Sequence, residues 1–170
     1  MIFYIADTHF GDERIMKLCG RPFSAVQNMD EALVAQWNGT VKPEDTVYHL
    51  GDVALDDETA GRILSRLKGH KHLLLGNHDT VLKNAFRFFE SVSQIQTISD
   101  DGRIVCLCHY PLLSYENSIY GGYHIFGHIH NNPADPAAEI TKNIPTIFNA
   151  GVDVCGFRPM TLDELKEKKS

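Results

Sequence analysis

The chain has 170 residues, close to the size of one domain, so we predict a single domain over 1–170 with no cap domain. Hydrophobic residues make up 43% and charged residues 22%, which excludes a mainly disordered, collagen-like or coiled-coil chain. The net charge is −6 and the basic residues are scattered, which argues against nucleic acid as a partner.

The first half of the chain alternates predicted strands and helices. Three short apolar runs predict buried strands: Ile2–Ala6, Thr46–Leu50 and His72–Leu75. Two segments between them carry apolar residues at helical spacing, from Val26 to Trp37 between a Ser24 cap and Gly39, and from Ala60 to Leu67 before Gly69. This order predicts parallel strands joined by right-handed crossovers.

The second half has a different pattern, which predicts a second sheet with little helix between its strands. The strand candidates are Glu90–Ile98, Arg103–Cys108, Tyr123–Phe126 and Thr146–Asn149. A capping box at Thr161 and Glu164 opens a C-terminal helix. The apolar run before Asp7 is too short for a signal or membrane segment, and no later run approaches twenty residues, so we expect a cytoplasmic protein.

Five polar strings follow predicted strands: Asp7-Thr8-His9, Gly51-Asp52, Gly76-Asn77-His78-Asp79, Cys108-His109 and Gly127-His128-Ile129-His130. In open α/β sheets, ligands bind at the carboxyl ends of the strands. Residues i and i+2 of an extended chain point the same way, so two of these strings can each place two metal donors on one side. The alternative to a metal-binding role, for any single histidine, is that it is a hydrogen-bonded loop residue. A structural zinc site is a poorer alternative, because the cysteines form no thiolate motif.

The strings D-x-H, GD, GNHD, H and GHxH, in this order, resemble the calcineurin-like metallophosphoesterase superfamily. The flanks DTHFG, RPF, VYHLGDVAL and GVDVCGFRPMTLDEL are similar to its small stand-alone bacterial and phage members. The resemblance implies an α/β fold, a four-layer αββα sandwich of two mixed β-sheets flanked by helices. It also implies a two-metal centre at the carboxyl ends of the strands.

The resemblance assigns roles to residues position by position. One metal is assigned Asp7, His9 and His130, the other Asn77, His109 and His128, and Asp52 bridges the two. His78 stays unligated and faces the leaving group, with Asp79 orienting its ring. Oxygen and nitrogen ligands suit Mn, Fe or Zn, and we expect two divalent ions per chain, with Mn preferred.

These assignments predict a hydrolase that cleaves a phosphoric ester of a small molecule, a nucleotide being the expected substrate, by attack of a metal-bridging hydroxide. A phosphodiesterase is preferred over a phosphatase, since the motifs carry no arginine pair for the extra charge of a monoester. The alternative is a scaffold with this fold that acts by binding proteins. The complete ligand set argues against that alternative.

Four residues are candidates for holding the rest of the substrate: Arg21, Tyr110, His124 and Arg158. The competing interpretation is that both arginines satisfy backbone carbonyls in turns. His49 is predicted to be a strand residue without chemistry, and the four cysteines to be free thiols. The sequence also allows a homo-oligomer in which a second subunit completes the substrate pocket.

Overall fold

The computed structural model describes residues 1–169, which form two four-stranded sheets. The first sheet has the order β1 (Ile2–Ile5), β2 (Thr46–His49), β3 (His70–Leu74) and β4 (Ser91–Ser93), and every pair is parallel. The second has the order β5 (Ile95–Asp100), β6 (Arg103–Cys108), β7 (Tyr123–Phe126) and β8 (Ile147–Asn149). Its β5–β6 pair is antiparallel and its other pairs are parallel.

Six helices accompany the sheets: α1 (Glu13–Cys19), α2 (Val26–Thr40), α3 (Asp57–Leu64), α4 (Pro136–Lys142), α5 (Val152–Cys155) and α6 (Leu162–Lys169). Short 3₁₀ turns lie at Asp79–Val81, Asn84–Phe88 and Ser118–Tyr120. Within residues 1–169, no helix combines the length and the apolar composition that crossing a bilayer requires.

The alternation of side chains along β1 shows how the layers pack. Phe3 and Ile5 belong to the core between the first sheet and its helices, together with Trp37 of α2. Tyr4, which points to the opposite face, packs in a second core with Ile125 of the second sheet. Side chains therefore fill both the helix–sheet and the sheet–sheet spaces, and the predicted αββα sandwich is confirmed, with a first sheet that is parallel rather than mixed.

The predicted strand Glu90–Ile98 is wrong, because it is two strands in different sheets. β4 ends at Ser93 as the edge of the first sheet, and β5 starts at Ile95 as the edge of the second. Gln94 is the only residue between them. Local periodicity reports that a segment is extended, but the sheet with which it pairs is decided by tertiary packing.

The prediction of little helix between the strands of the second sheet was wrong for α4, and α5 and α1 were also missed. These helices have 7, 4 and 7 residues, too few turns to repeat an apolar spacing. The bounds of α2 also differ: Ala25, not Ser24, precedes it, and Gly39 lies inside it. Burial of one helix face against the first sheet outweighs these weak end signals.

His49 gives the fold a specific pH dependence. Thr8 Oγ1 donates to the Val53 carbonyl at 2.8 Å and so accepts from His49 Nε2 at 2.9 Å, while His49 Nδ1 is buried without a partner in the described chain. Burial lowers the pKa of His49 to about 3. The unfolded chain therefore binds this proton at a higher pH than the native state, so the stability contributed by neutral His49 falls as the pH drops from about 6.5 toward 3.

We expect the metal-free His49→Gln variant to lose less stability than the wild type between pH 7.5 and pH 5, because glutamine does not titrate. Urea unfolding of both proteins at the two pH values measures this difference. An equal loss in the two proteins would contradict the role assigned to His49.

Candidate metal centre

The five polar strings follow β1, β2, β3, β6 and β7, and they meet at the carboxyl ends of both sheets. The loop contacts are direct: the Asp7 N–H donates to the Gly51 carbonyl at 3.0 Å, and the Gly127 N–H donates to the His109 carbonyl at 2.9 Å. Both sheets therefore contribute to one cluster of polar side chains.

The backbone is unusual at the same residues. Positive φ angles of 47–69° occur at Asp7, His9, Asp52, His128 and His130. Such a conformation costs a non-glycine residue about 1–3 kcal/mol and is concentrated at functional sites. Five of the seven predicted metal ligands adopt it, so the fold gives up stability locally to aim these side chains inward.

The ligand atoms form two overlapping groups. The first contains Asp7, His9 and His130, and the second contains Asp7, Asp52 and His109, with the ligand atoms of each group within 4.8 Å of one another. Asp52 Oδ2 also lies 3.5 Å from His9 Nε2 and 3.6 Å from His109 Nε2. Both carboxylates are buried and lie between the two sets of imidazoles.

The remaining two predicted ligands lie beside the second group. Asn77 Oδ1 is 3.1 Å from His109 Nε2, and the ring centroids of His128 and His109 are 5.1 Å apart. The His128 backbone N–H donates to both oxygens of Asp7, at 3.0 and 2.9 Å. Gly127 makes this approach possible, because a Cβ there would lie 2.6 Å from Asp7 Oδ2.

The orientation of the nitrogen and oxygen lone pairs in this cluster shows whether a cation fits there. His109 Nδ1 donates to the Leu50 carbonyl at 2.7 Å, so in neutral His109 the other nitrogen, Nε2, carries a lone pair. That lone pair faces the oxygens of Asn77 and Asp52. Acceptor atoms this close repel one another unless a cation or a proton lies among them.

His9 and Asp7 support the same conclusion. His9 Nε2 is buried without a hydrogen-bond partner in residues 1–169. Burial and the neighbouring His130 and Arg21 lower the pKa of His9 to about 3, so its ring is neutral and can donate a lone pair. Burial raises the pKa of Asp7 to about 6, which a bound cation would reverse. The donor set fits one or more divalent cations.

A buried ion-pair network holds His130. Its Nδ1 lies 2.8 Å from Asp153 Oδ2, and Arg21 donates to both Asp153 oxygens at 2.7 and 3.0 Å. The same guanidinium donates to the carbonyls of Asp7 and Thr8 at 2.7 and 2.9 Å. A carboxylate on one nitrogen of a histidine fixes the ring so that its other nitrogen can bind a metal.

Sequence reasoning missed Asp153, although GVDV belongs to one of the flanking strings. It also missed Cys19, whose sulfur lies within 4.8 Å of the ligand atoms of His130 and Asp153. Burial opposes protonation of His130, but hydrogen bonds to Asp153 and Cys19 and the charge of Asp7 raise its pKa to about 10. Cation binding at His130 therefore competes with a proton.

We expect Asp153→Asn to weaken cation binding at the site of His130 by about 10–100-fold, because the ring loses its anionic partner. Titration calorimetry of the metal-free variant with Mn²⁺ measures the affinity of each site separately. Asp163→Asn makes the same change on exposed α6 and serves as the control. If Asp153→Asn bound Mn²⁺ at both sites as tightly as the wild type does, the role of Asp153 as the partner of His130 would be contradicted.

The role predicted for Asp79 is wrong, since its carboxylate does not orient His78. Asp79 is buried, and its oxygens accept the backbone N–H groups of Asp52, Val53 and Gly76 at 2.8–2.9 Å. It therefore holds two ligand loops together. The His78 side chain is 57% exposed, and its Nε2 lies 4.0 Å from Asp52 Oδ2.

Three of the four predicted substrate residues are corrected. Arg21 is buried in the network with Asp153. His124 is fully buried, where its Nδ1 lies 3.0 Å from the Cys106 carbonyl and its Nε2 accepts the Leu112 N–H. Arg158 donates to the Pro159 carbonyl and to Glu164, as the competing interpretation of a turn arginine expected.

Tyr110 differs from these three because it lies at the mouth of the cluster. Its side chain is 44% exposed. Its ring centroid is 4.7 Å from that of His128 and 5.1 Å from that of His109. Of the four candidates, this residue has both the exposure and the position to meet a substrate.

No family model matches the chain. A curated relative, the uncharacterized protein MJ1445 of Methanocaldococcus jannaschii, is 35% identical over 165 residues, which are 95% of this chain and 87% of the relative. The solved structure of AQ665 from Aquifex aeolicus, a protein of unknown function, is 26% identical, with a TM-score of 0.77 and 98% of each chain covered. The nuclease MPE of Pseudomonas putida shares the fold at 18% identity and a TM-score of 0.51, over 76% of this chain and 61% of the nuclease.

Proposed function

We propose that this chain, which belongs to one family with MJ1445, is a metallophosphoesterase that hydrolyses a phosphoric ester of a small molecule. The convergence of lone pairs from His9, His109, Asn77 and Asp52 carries this proposal. A buried cluster of this kind is stable when it holds cations, and its open side can receive a phosphate.

Two divalent cations, preferably Mn²⁺, would be held by Asp7, His9 and His130 on one side and by Asn77, His109 and His128 on the other. Asp52 would be shared, because its carboxylate lies between the two sets of imidazoles. When bound, such cations attract the phosphate, activate water and stabilise the charge on the phosphate oxygens.

We assign to His78 the role of moving a proton. Its backbone N–H donates to Asp52 Oδ1 at 2.9 Å, which fixes its loop, while its ring is open to solvent. The ring centroid lies 5.3 Å from that of His9. An imidazole can act as a general acid, so His78 can protonate the leaving alkoxide.

The cationic side chains favour a diester over a monoester. Arg21 is buried and paired with Asp153, so it does not face a phosphate. Near the cluster, Arg14 is held by Asp12, and Lys17 lies beside Glu13. A diester carries one negative charge fewer than a fully ionised monoester, so it needs fewer contacts with cationic side chains.

Hydrolysis of a chromogenic phosphodiester and of the matching monoester by metal-stripped protein, with and without Mn²⁺, tests the proposal. We expect Mn²⁺-dependent turnover that is faster on the diester. Bound Mn²⁺ without turnover of either ester would contradict the proposal and favour a protein-binding scaffold.

We expect His78→Ala to retain its cations and to lose about a hundredfold in turnover, because the leaving group departs without a proton. His70→Ala is the matched control, since His70 is exposed at the start of β3 and pairs with Glu90. An unchanged rate in His78→Ala would exclude the proton-donor role.

A further inference from the structure

A groove of about 550 Å³ adjoins the metal centre on its Asn77 and His109 side. It lies where the chain crosses from the first sheet to the second, between the loop after β3 and the loop after β6. Two of its lining residues, Gly76 and Tyr110, are the immediate sequence neighbours of the ligands Asn77 and His109. A group joined to a phosphate at the centre can therefore reach this groove.

The walls of the groove are mainly apolar. Leu82, Phe86 and Leu112 form its sides, and the exposed Ile95 and Tyr110 lie at its rim. No lysine, arginine or histidine among the described residues lines it. Its one charged lining residue, Asp79, already accepts three backbone N–H groups. The groove suits an uncharged, apolar group and offers nothing to a second phosphate.

A few polar groups interrupt this apolar lining. The side chains of Thr80, Gln94 and Tyr110 form no hydrogen bond within residues 1–169, so they are available to a ligand. An aromatic ring beside apolar walls, with an amide and a hydroxyl near by, matches the requirements of a planar heterocycle with polar edges.

A groove of about 570 Å³ on the opposite side of the centre has different chemistry. It is lined by His9, His78 and His130 together with Lys17 and the ion pair that Arg14 forms with Asp12. The two sides of the centre therefore differ in polarity, so a substrate with one planar uncharged substituent has a preferred orientation.

We propose that the Tyr110 groove, lined by the residues named above, binds the planar organic group of the substrate, a nucleobase or a similar heterocycle, with Tyr110 stacking on it. This inference rests on the proposed function and adds the substrate class. Stacking on an aromatic side chain tolerates any base, so the groove selects a planar group rather than one particular base.

Adenosine 5′-phosphate and ribose 5-phosphate test the groove, because they share the sugar and the phosphate, and ribose 5-phosphate has a hydroxyl in place of the base. Their inhibition constants against Mn²⁺-dependent hydrolysis of the chromogenic diester are compared in wild type and variants. We expect adenosine 5′-phosphate to inhibit at least about tenfold more tightly. Tyr110→Ala and Ile95→Ser should bring the ratio of the two inhibition constants close to one, and Tyr110→Phe should leave the ratio as it is in the wild type. Ile119→Ser changes an even more exposed isoleucine, which lies outside the groove between β6 and β7, and is the control.

Equal inhibition by the two phosphates, or a ratio that both groove variants leave unchanged, would overturn the inference. If the protein hydrolyses no ester, the proposed function fails, and calorimetry with the same two phosphates decides the groove separately. Tighter binding of adenosine 5′-phosphate that Ile95→Ser weakens would support the groove even then. Equal binding of the two phosphates would overturn it.

Discussion

Asp52→Asn is expected to reduce Mn²⁺-dependent turnover by about a thousandfold or more, because it removes the negative charge shared by both sets of imidazoles. Asp52 Oδ2 lies within 3.6 Å of both His9 Nε2 and His109 Nε2. Asparagine keeps the shape and can still accept the His78 N–H, so the loss reports charge rather than packing. Calorimetry should show weaker Mn²⁺ binding at both sites.

The metal-free variant separates loss of metal from loss of fold. Buried Asp7 and Asp52 repel each other when no cation is bound, so metal-free Asp52→Asn should be at least as stable as metal-free wild type. Asp101→Asn, in an exposed turn with φ 52° that asparagine adopts readily, is the control. Two tightly bound Mn²⁺ ions in Asp52→Asn would contradict the shared role of this carboxylate.

Gly76→Ala is expected to disrupt the same centre by sterics alone. A Cβ at this position would lie 2.2 Å from Asp52 Oδ1 and 2.6 Å from Asp52 N, so either the carboxylate or its backbone must move. Overpacking of this kind costs about 1–3 kcal/mol of stability. A shift of about 1 Å in a site residue can cost about a hundredfold in turnover.

Gly39→Ala is the control for Gly76→Ala, because nothing lies within 4 Å of the Cβ it would add inside α2. We expect it to raise stability by about 0.5–1 kcal/mol, since alanine favours the helix. Urea unfolding and Mn²⁺ titration of both variants measure the two effects. Normal Mn²⁺ binding by Gly76→Ala would show that the close approach of Gly76 to Asp52 is unimportant.

The positions of the polar strings were predictable because each follows a short apolar run. A buried strand that ends in polar residues marks a sheet edge, and parallel strands bring several such ends together. Asp7 after β1 and Asp52 after β2 are examples, and the Asp7 N–H bonds to Gly51 at that edge. The partition of Glu90–Ile98 between two sheets was not predictable, because both pieces have the same local pattern.

Residue type and motif position were poor guides to where the polar side chains find their partners. Arg21 had the chemistry of a phosphate ligand, but it is buried against Asp153, which is 132 residues away in the chain. Asp79 follows His78 directly, but it binds the backbone of the loop after β2. The free energy of pairing a buried charge depends on which groups the fold brings within hydrogen-bonding distance.

The sequence by itself determined the alternation of β1, α2, β2, α3 and β3, the apolar faces that form the cores, and the polar loops that carry the metal donors. These features depend on residue type and on periods of two or 3.6 residues, which short segments already display. Only the tertiary structure decided that Asp153 and Arg21 hold His130, that Asp79 joins two loops, and that Tyr110 opens an apolar groove. Those contacts join distant segments, whose approach is set by the packing of the two sheets.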